Sequence, residues 1–326
     1  YHADIKGKVK KITNGNHMLT MNDLVGSDAV ATWTDPSNPS DIISFSIDKP
    51  NKINRLTDVN KDIFYNVEFG EVEEITYKSV DEKYVQGWIV KPPNFDSNKK
   101  YPLVLRIHGG PHSMYHVGFN YNFQLHAAQD QVVLYTNPRG STGYGYDFAN
   151  AIQNAYPGND YDDIMYGVDE VISRGYIDEN RMYVYGGSGG GVLTSWIVGK
   201  TDRFAAASVN YPVTNWFSFV GTTDGATWYY NFKNYPWEDP SEHIKRSPLM
   251  YVANVKTPTM LMCGEEDLRT PISQTEEYYQ ALKMNKVPTV MIRFTDEYHG
   301  TSSKPSNFLR THGYINAWFD KHSVRK

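Results

Sequence analysis

An α/β fold is predicted for most of this chain: a largely parallel sheet with helices on both faces, preceded by a short antiparallel β segment. Three features predict it. Strand-type and helix-period segments alternate from about residue 100 to the C-terminus, with short links between them. The strand segments around 102–108 and 259–263 are continuous apolar runs, as strands covered on both faces are. The first 68 residues lack that alternation and carry short runs between turn residues.

Taken in order, residues 1–68 contain alternating runs at 9–13, 29–34 and 42–47, separated by Asn-Gly, Pro-Ser-Asn-Pro and Asp-Lys-Pro-Asn-Lys turns. Ile42, Phe45 and Ile47 do not alternate cleanly, and the segment is too short for a closed sandwich or propeller. From residue 69 to 326 a single large domain is expected. It opens with a hairpin, 73–78 and 84–91, turning at Asp81-Glu82. Helices are then predicted at 120–129, 160–174, 189–200, 272–286 and 305–320. Strands are predicted at 102–108, 131–136, 181–186, 258–263 and 288–294.

Composition excludes several function classes. The 326 residues carry 32 basic and 37 acidic side chains in a mixed pattern, net −5, so no basic stripe marks a nucleic-acid partner. No apolar stretch reaches the roughly 18 residues of a membrane span. The single cysteine, Cys263, lies in an apolar strand and forms no intrachain disulfide. With no visible signal peptide, that favours the cytoplasm and leaves localisation otherwise undetermined. The chain starts at Tyr1 rather than Met, which raises the expectation of a fragment or processed form of a longer protein. A homo-oligomer is left open.

The run Gly186-Gly-Ser-Gly-Gly carries the chemistry. A buried strand leads into it and a helical pattern leaves it, so Gly-x-Ser-x-Gly sits in the strand–turn–helix context of a nucleophile elbow, the mark of the α/β-hydrolase fold. Ser188 is the candidate nucleophile. In this fold the acid and then the base follow in sequence, each just after a strand. The strand 259–263 is followed by Glu265, Glu266 and Asp267, all three placed to serve as the acid. The next strand is followed by His299, the candidate base. His108, His112 and His116 are spaced by four, but Gly109-Gly110-Pro111 breaks the helix that a metal site would need. That loop follows a strand where this fold contributes an oxyanion amide, so Gly110 and Gly189 are the candidate N–H donors.

These stretches together resemble the prolyl oligopeptidase family of serine peptidases, closest to its acylaminoacyl-peptidase-like and dipeptidyl-peptidase-like members. The matching motifs are His108-Gly-Gly-Pro-His, Asn137-Pro-Arg-Gly-Ser-Thr-Gly-Tyr-Gly, Gly186-Gly-Ser-Gly-Gly, Arg246-Ser-Pro-Leu, Gly264-Glu-Glu-Asp-Leu-Arg-Thr-Pro and Glu297-Tyr-His299. The resemblance implies that Asp267 is the acid and that Arg269 binds a substrate carbonyl. It also implies that Val213, Trp216 and Phe219 line an apolar pocket for the residue before the scissile bond. Two departures stand out. The family usually carries Tyr or His after the nucleophile where this chain has Gly189, which suggests a wider site or an altered substrate preference. Residues 1–68 resemble only the last strands of the family's β-propeller.

The function expected from these residues is hydrolysis of short peptides or acylated aminoacyl peptides through a Ser–Asp–His triad and an acyl-enzyme. No metal or cofactor is called for. Carboxylesterase activity on the same scaffold is the alternative, since esters need less leaving-group protonation than amides.

Overall fold

In the computed structural model, residues 1–225 and 227–325 are described. They group into two compact units. One holds residues 1–72, 90–94 and 116–129; the other holds 73–89, 95–115 and 130 onward. Where the sequence suggests one break at 68/69, two later segments therefore group with the N-terminal residues.

In the first unit, β1 (His2–Ala3) pairs antiparallel with β2 (Val9–Lys10). β3 (Met18–Val25), β4 (Asp28–Asp35), β5 (Asn38–Ser46) and β6 (Lys49–Arg55) form a four-stranded antiparallel meander in that spatial order. Alternation buries Ala29, Ala31, Ile43 and Phe45 on one face, with Leu19 and Trp33 packed against them. Asp41, also buried, accepts from the Thr57 hydroxyl and pairs with Arg55 at 3.3 Å. After α1 (Lys61–Phe64), the unit gains α2 (Tyr121–Ala127), capped by the Asn120 side chain on the Asn122 and Phe123 amides.

The strands of the first unit differ from those the sequence predicts. The run at 9–13 is a strand only over two residues, and β3 is missed altogether because seven of its eight residues are exposed. The Asp-Lys-Pro-Asn-Lys stretch read as a turn lies mostly within β6. That strand is at the sheet edge, where Pro50 forfeits no ladder bond to a further strand.

The second unit is built on an eight-stranded sheet. β7 (Val72–Lys78) and β8 (Tyr84–Val90) are joined by the turn at Asp81-Glu82. β9 (Tyr101–Ile107), β10 (Val132–Asn137), β11 (Ile177–Gly187), β12 (Ala206–Asn210), β13 (Thr259–Gly264) and β14 (Thr289–Phe294) follow. The spatial order is β14-β13-β12-β11-β9-β10-β8-β7, and the six strands from β14 to β10 are parallel. The helices are α3 (Tyr146–Ala149), α4 (Asn159–Ser173), α5 (Gly189–Lys200), α6 (Trp216–Phe219), α7 (Ser241–Lys245), α8 (Ile272–Met284) and α9 (Pro305–Lys321).

Strand alternation divides the core. Leu103, Leu105, Val184, Val209 and Leu261 face α4, α5 and α8, while Val104, Tyr185, Met260 and Phe294 face Ile315, Trp318 and Phe319 of α9. Every residue of α5 but Lys200 is buried, which explains its apolar character all round. Because β10 lies on one side of β9 and β11 on the other, chain direction across the sheet reverses at β9. The crevice beyond the carboxyl ends of β9 and β11 is thus a switch point, where this class of sheet places its sites.

A buried ion pair braces the loop after β10. Asp163 of α4 accepts from Arg139 N at 2.8 Å, Nε at 2.8 Å and Nη2 at 2.9 Å, and from Ser79 Oγ at 2.6 Å. Arg139 also pairs with the exposed Asp81 at 2.9 Å, so Asp163→Asn leaves it one carboxylate and should lower unfolding free energy by about 1–3 kcal/mol. Chemical denaturation of the two proteins at neutral pH measures this.

Candidate active site

The site starts from a backbone constraint at the end of β11. Gly186 pairs with Ile107 in register, so the elbow and the loop after β9 leave the sheet side by side. A Cβ on Gly190 would lie 2.3 Å from the Ile107 carbonyl oxygen, so only glycine fits there. Ser188 takes φ 57°, ψ −121° at the head of α5, and its amide donates to the Asn210 carbonyl at 3.1 Å. This left-handed conformation is one that a serine adopts only when its surroundings dictate it.

The structure brings Ser188, His299 and Asp267 together. His299 Nδ1 lies 2.9 Å from Asp267 Oδ2 and 3.1 Å from Oδ1, and its Nε2 lies 3.0 Å from Ser188 Oγ. A carboxylate only accepts, so Nδ1 carries the proton and Nε2 is left to accept from the serine hydroxyl. Asp267 is buried and His299 about one-third exposed. Glu265 and Glu266, the other carboxylates after β13, point elsewhere: Glu265 pairs with Arg293 at 2.7 Å and Glu266 hydrogen-bonds Tyr298.

Supporting residues fix each member. Glu297 ties down the loop that carries His299, accepting from Ser303 Oγ at 2.5 Å and Asn307 Nδ2 at 2.7 Å. Burial pushes its carboxyl up, but these bonds win and hold it below the usual range. Tyr211, in a left-handed conformation after β12, sets its ring edge-on to His299 with centroids 5.2 Å apart. Sequence reasoning missed both Tyr211 and the inner role of Glu297, since nothing local distinguishes a site tyrosine from a packed one.

The loop after β9 is equally determined. His108 Nδ1 lies 2.7 Å from the Gly109 carbonyl oxygen, so it donates there, and Nε2 accepts from Ser141 Oγ at 2.9 Å. Burial holds the imidazole below its usual range, which keeps it neutral. With the Gly109 carbonyl turned toward His108, the N–H of Gly110 in the same trans peptide points the opposite way. His112 Nδ1 lies 3.0 Å from the Gly140 carbonyl, and Asn137 bonds both the amide and the carbonyl of Tyr115. The loop braced by Arg139 and Asp163 therefore carries the loop that holds Gly110. Among the described residues no group of three His, Cys, Asp or Glu side chains is placed to hold a metal ion.

Gly189 does not widen the site as the sequence suggests. A Cβ there would lie 2.9 Å from Gly110 N and 3.0 Å from Tyr156 Oη, so the space is already taken. Tyr156 donates its hydroxyl to the Gly189 carbonyl at 2.9 Å and packs edge-on to Trp216. Val213, Trp216 and Phe219 are 3%, 1% and 0% exposed and belong to the main core, with Trp228 and Phe232 against them. Arg269 is half-exposed and paired to Asp224 at 2.6 Å.

The chain is similar to known proteins over most of its length. The profile of the prolyl oligopeptidase family matches residues 117–325. An uncharacterized peptidase, YuxL, of Bacillus subtilis is 40% identical over 298 residues, covering 90% of this chain and 45% of its own. Acylamino-acid-releasing enzyme 1 of rice is 33% identical over 233 residues, covering 68% of this chain and 30% of its own. The solved acylaminoacyl peptidase of Pyrococcus horikoshii superposes with a TM-score of 0.90 at 27% identity, over 98% of this chain and 52% of that one. An acylaminoacyl peptidase in complex with Z-Gly-Gly-Phe-chloromethyl ketone gives a TM-score of 0.90 at 28% identity, with the same coverage of both chains. The chain thus spans about half the length of these relatives, or less. No helix among the described residues is long and apolar enough to cross a membrane.

Two outcomes are expected around Gly189. Gly189→Ala must displace the Gly110 backbone and should destabilise the fold by about 1–3 kcal/mol, read from a denaturation curve. Behind Tyr156, the buried Asp160 carboxyl is pushed up to about 7 by burial, with Asp163 adding to the shift. Its folded pKa exceeds the unfolded one, so the folded state retains a proton the unfolded chain has lost, and stability falls as pH rises from about 4 to 7. Asp160→Asn should therefore stabilise the protein at pH 8, by roughly 4 kcal/mol at most, and leave it unchanged near pH 4. Unfolding curves at the two pH values check the sign.

Proposed function

The chain belongs to the prolyl oligopeptidase family, and from that premise we propose that it is a serine peptidase acting on short or N-acylated peptides through Ser188, His299 and Asp267. The observation that carries this reading is the hydrogen-bond relay from Asp267 through His299 to a serine held in a left-handed elbow. In this reading Ser188 Oγ attacks the scissile carbonyl while His299 Nε2 takes the hydroxyl proton. Asp267 holds the tautomer and stabilises the imidazolium that forms. His299 then gives the proton to the leaving amine, and water repeats the sequence on the acyl-enzyme. Oxyanion charge falls to the Gly110 and Gly189 amides at the N-terminal end of α5, where the helix dipole adds to the donors.

The family resemblance supports an apolar residue before the scissile bond, although Val213, Trp216 and Phe219 are themselves packed into the core beyond Tyr156. The blocked peptide ketone ending in Phe that complexes one structural relative is consistent with that preference. Arg269 would reach a substrate carbonyl by leaving Asp224 or by offering its remaining guanidinium hydrogens. We assign residues 69–326 as the catalytic domain and 1–68 as the end of a β-propeller.

A paired assay tests this. Purified protein and Ser188→Ala are given acylated and free amino-acid anilides with apolar residues, alongside short p-nitrophenyl esters. Anilide turnover is expected, falling about 10⁴–10⁶-fold in Ser188→Ala. Ester turnover alone would move the assignment to carboxylesterase, and silence in both arms would exclude an active hydrolase in this chain.

A further inference from the structure

We propose that the Thr270 hydroxyl is a positioning group for the Asp267–His299 pair, setting how much of the carboxylate's charge His299 meets. This rests on the triad reading above and adds a fourth residue to it. The oxygen that receives His299 Nδ1–H, Asp267 Oδ2, lies 2.9 Å from Thr270 Oγ1. The other oxygen, Oδ1, accepts the Thr270 amide at 2.8 Å. Thr270 is buried, and its hydroxyl also lies 3.0 Å from the Tyr211 carbonyl and 3.4 Å from His299 Nδ1.

One hydroxyl proton faces two acceptors, the Asp267 carboxylate and the Tyr211 carbonyl. The ionised oxygen is the stronger acceptor, so the proton goes chiefly to Oδ2 and the Tyr211 carbonyl takes the weaker share. Thr270 and His299 then compete for the electron density of the same oxygen. A donor to a carboxylate stabilises its charged form and lessens its pull on a neighbouring cation. Removing the hydroxyl leaves more charge for His299, whose protonated form becomes easier to hold. The base should titrate higher, and the active, neutral imidazole should appear at a higher pH.

The groups around this pair do not blur that signal. Tyr211, from the turn after β12, and Tyr298, beside His299, are both held above the usual phenol range, the first by burial and the second by its bond to Glu266. Cys263, from β13, is pushed up to about 12 by burial. Arg106 lies near Tyr211 and stays charged, and Arg269 is paired with Asp224 at 2.6 Å. His108 and His312 are held low by burial, the latter to about 4.

The experiment measures kcat/KM against pH on an anilide substrate for the wild type, Thr270→Val, Thr270→Ser and Ser188→Ala. Thr270→Val should move the acid limb upward by about half to one pH unit, and Thr270→Ser should leave it in place. In an Asp267→Asn background Thr270→Val should cause no further shift, because the hydroxyl acts through the carboxylate. An acid limb that stays put or moves down in Thr270→Val overturns the proposal. If Thr270→Val does not fold, Thr270→Ala gives the same comparison. If neither folds while Thr270→Ser does, the hydroxyl is structural and the proposal fails. Undiminished turnover by Ser188→Ala would instead sink the triad reading itself, and this inference with it.

Discussion

Everything at this site depends on two backbone turns approaching more closely than side chains allow. β9 and β11 are neighbours in register, and their chains leave the sheet in the same crevice. The carbonyl of Ile107 then sits where a side chain on Gly190 would begin, and the amide of Gly110 where one on Gly189 would begin. The glycines cost roughly 1 kcal/mol each in a helix interior relative to Ala. What offsets that cost is a pair of peptide N–H groups and a serine hydroxyl brought into one small volume with no flexible side chain between them. In the proposed reading, such preorganisation would be the largest single contribution to acyl transfer.

The rest of the second unit works to keep that approach from relaxing. Each loop of the site is tied by a buried polar group to a rigid element. Asp163 of α4 holds Arg139, the loop of Arg139 holds His108 and Tyr115, and Glu297 closes the His299 loop onto α9 through Asn307. These bonds lie among apolar residues, where each partner depends on the other for solvation. They are weak as sources of net stability and strong as specifiers of one geometry. The proposed catalytic arrangement is thereby anchored to secondary structure at each of its loops.

How much of this was legible in the sequence follows from which residues are buried on both sides. Strands β9 and β13 read plainly because both their faces are covered, which leaves an uninterrupted apolar run. The elbow read plainly because its glycines answer a local steric demand. β3 and β6 were not legible, since one is exposed nearly throughout and the other is an edge strand that tolerates Pro50. The acid illustrates the limit within the site. Three carboxylates follow β13, and what separates Asp267 is tertiary: Glu265 finds Arg293 and Glu266 finds Tyr298, both distant in the chain. Thr270 did carry a local signal, an Asp followed three residues on by a Thr whose amide and hydroxyl can both reach back. It had no weight until His299 was seen on the same carboxylate.

The departure at position 189 shows how a local reading and a structural one diverge. Judged by side-chain volume alone, glycine beside the nucleophile means empty space. Here the space is filled from elsewhere, by the Gly110 peptide on one side and the Tyr156 hydroxyl on the other. That hydroxyl belongs to a ring packed against Trp216, so the proposed oxyanion amides are braced by the apolar core that holds Val213 and Phe219. In the proposed reading, an acyl group lying against Tyr156 would press on the same side chain that braces the Gly189 peptide. Substrate fit and oxyanion geometry would then be coupled through one side chain, and a poorly fitting residue would lose rate as well as affinity. In an enzyme where bulk at position 189 separated the two features, that coupling would be weaker.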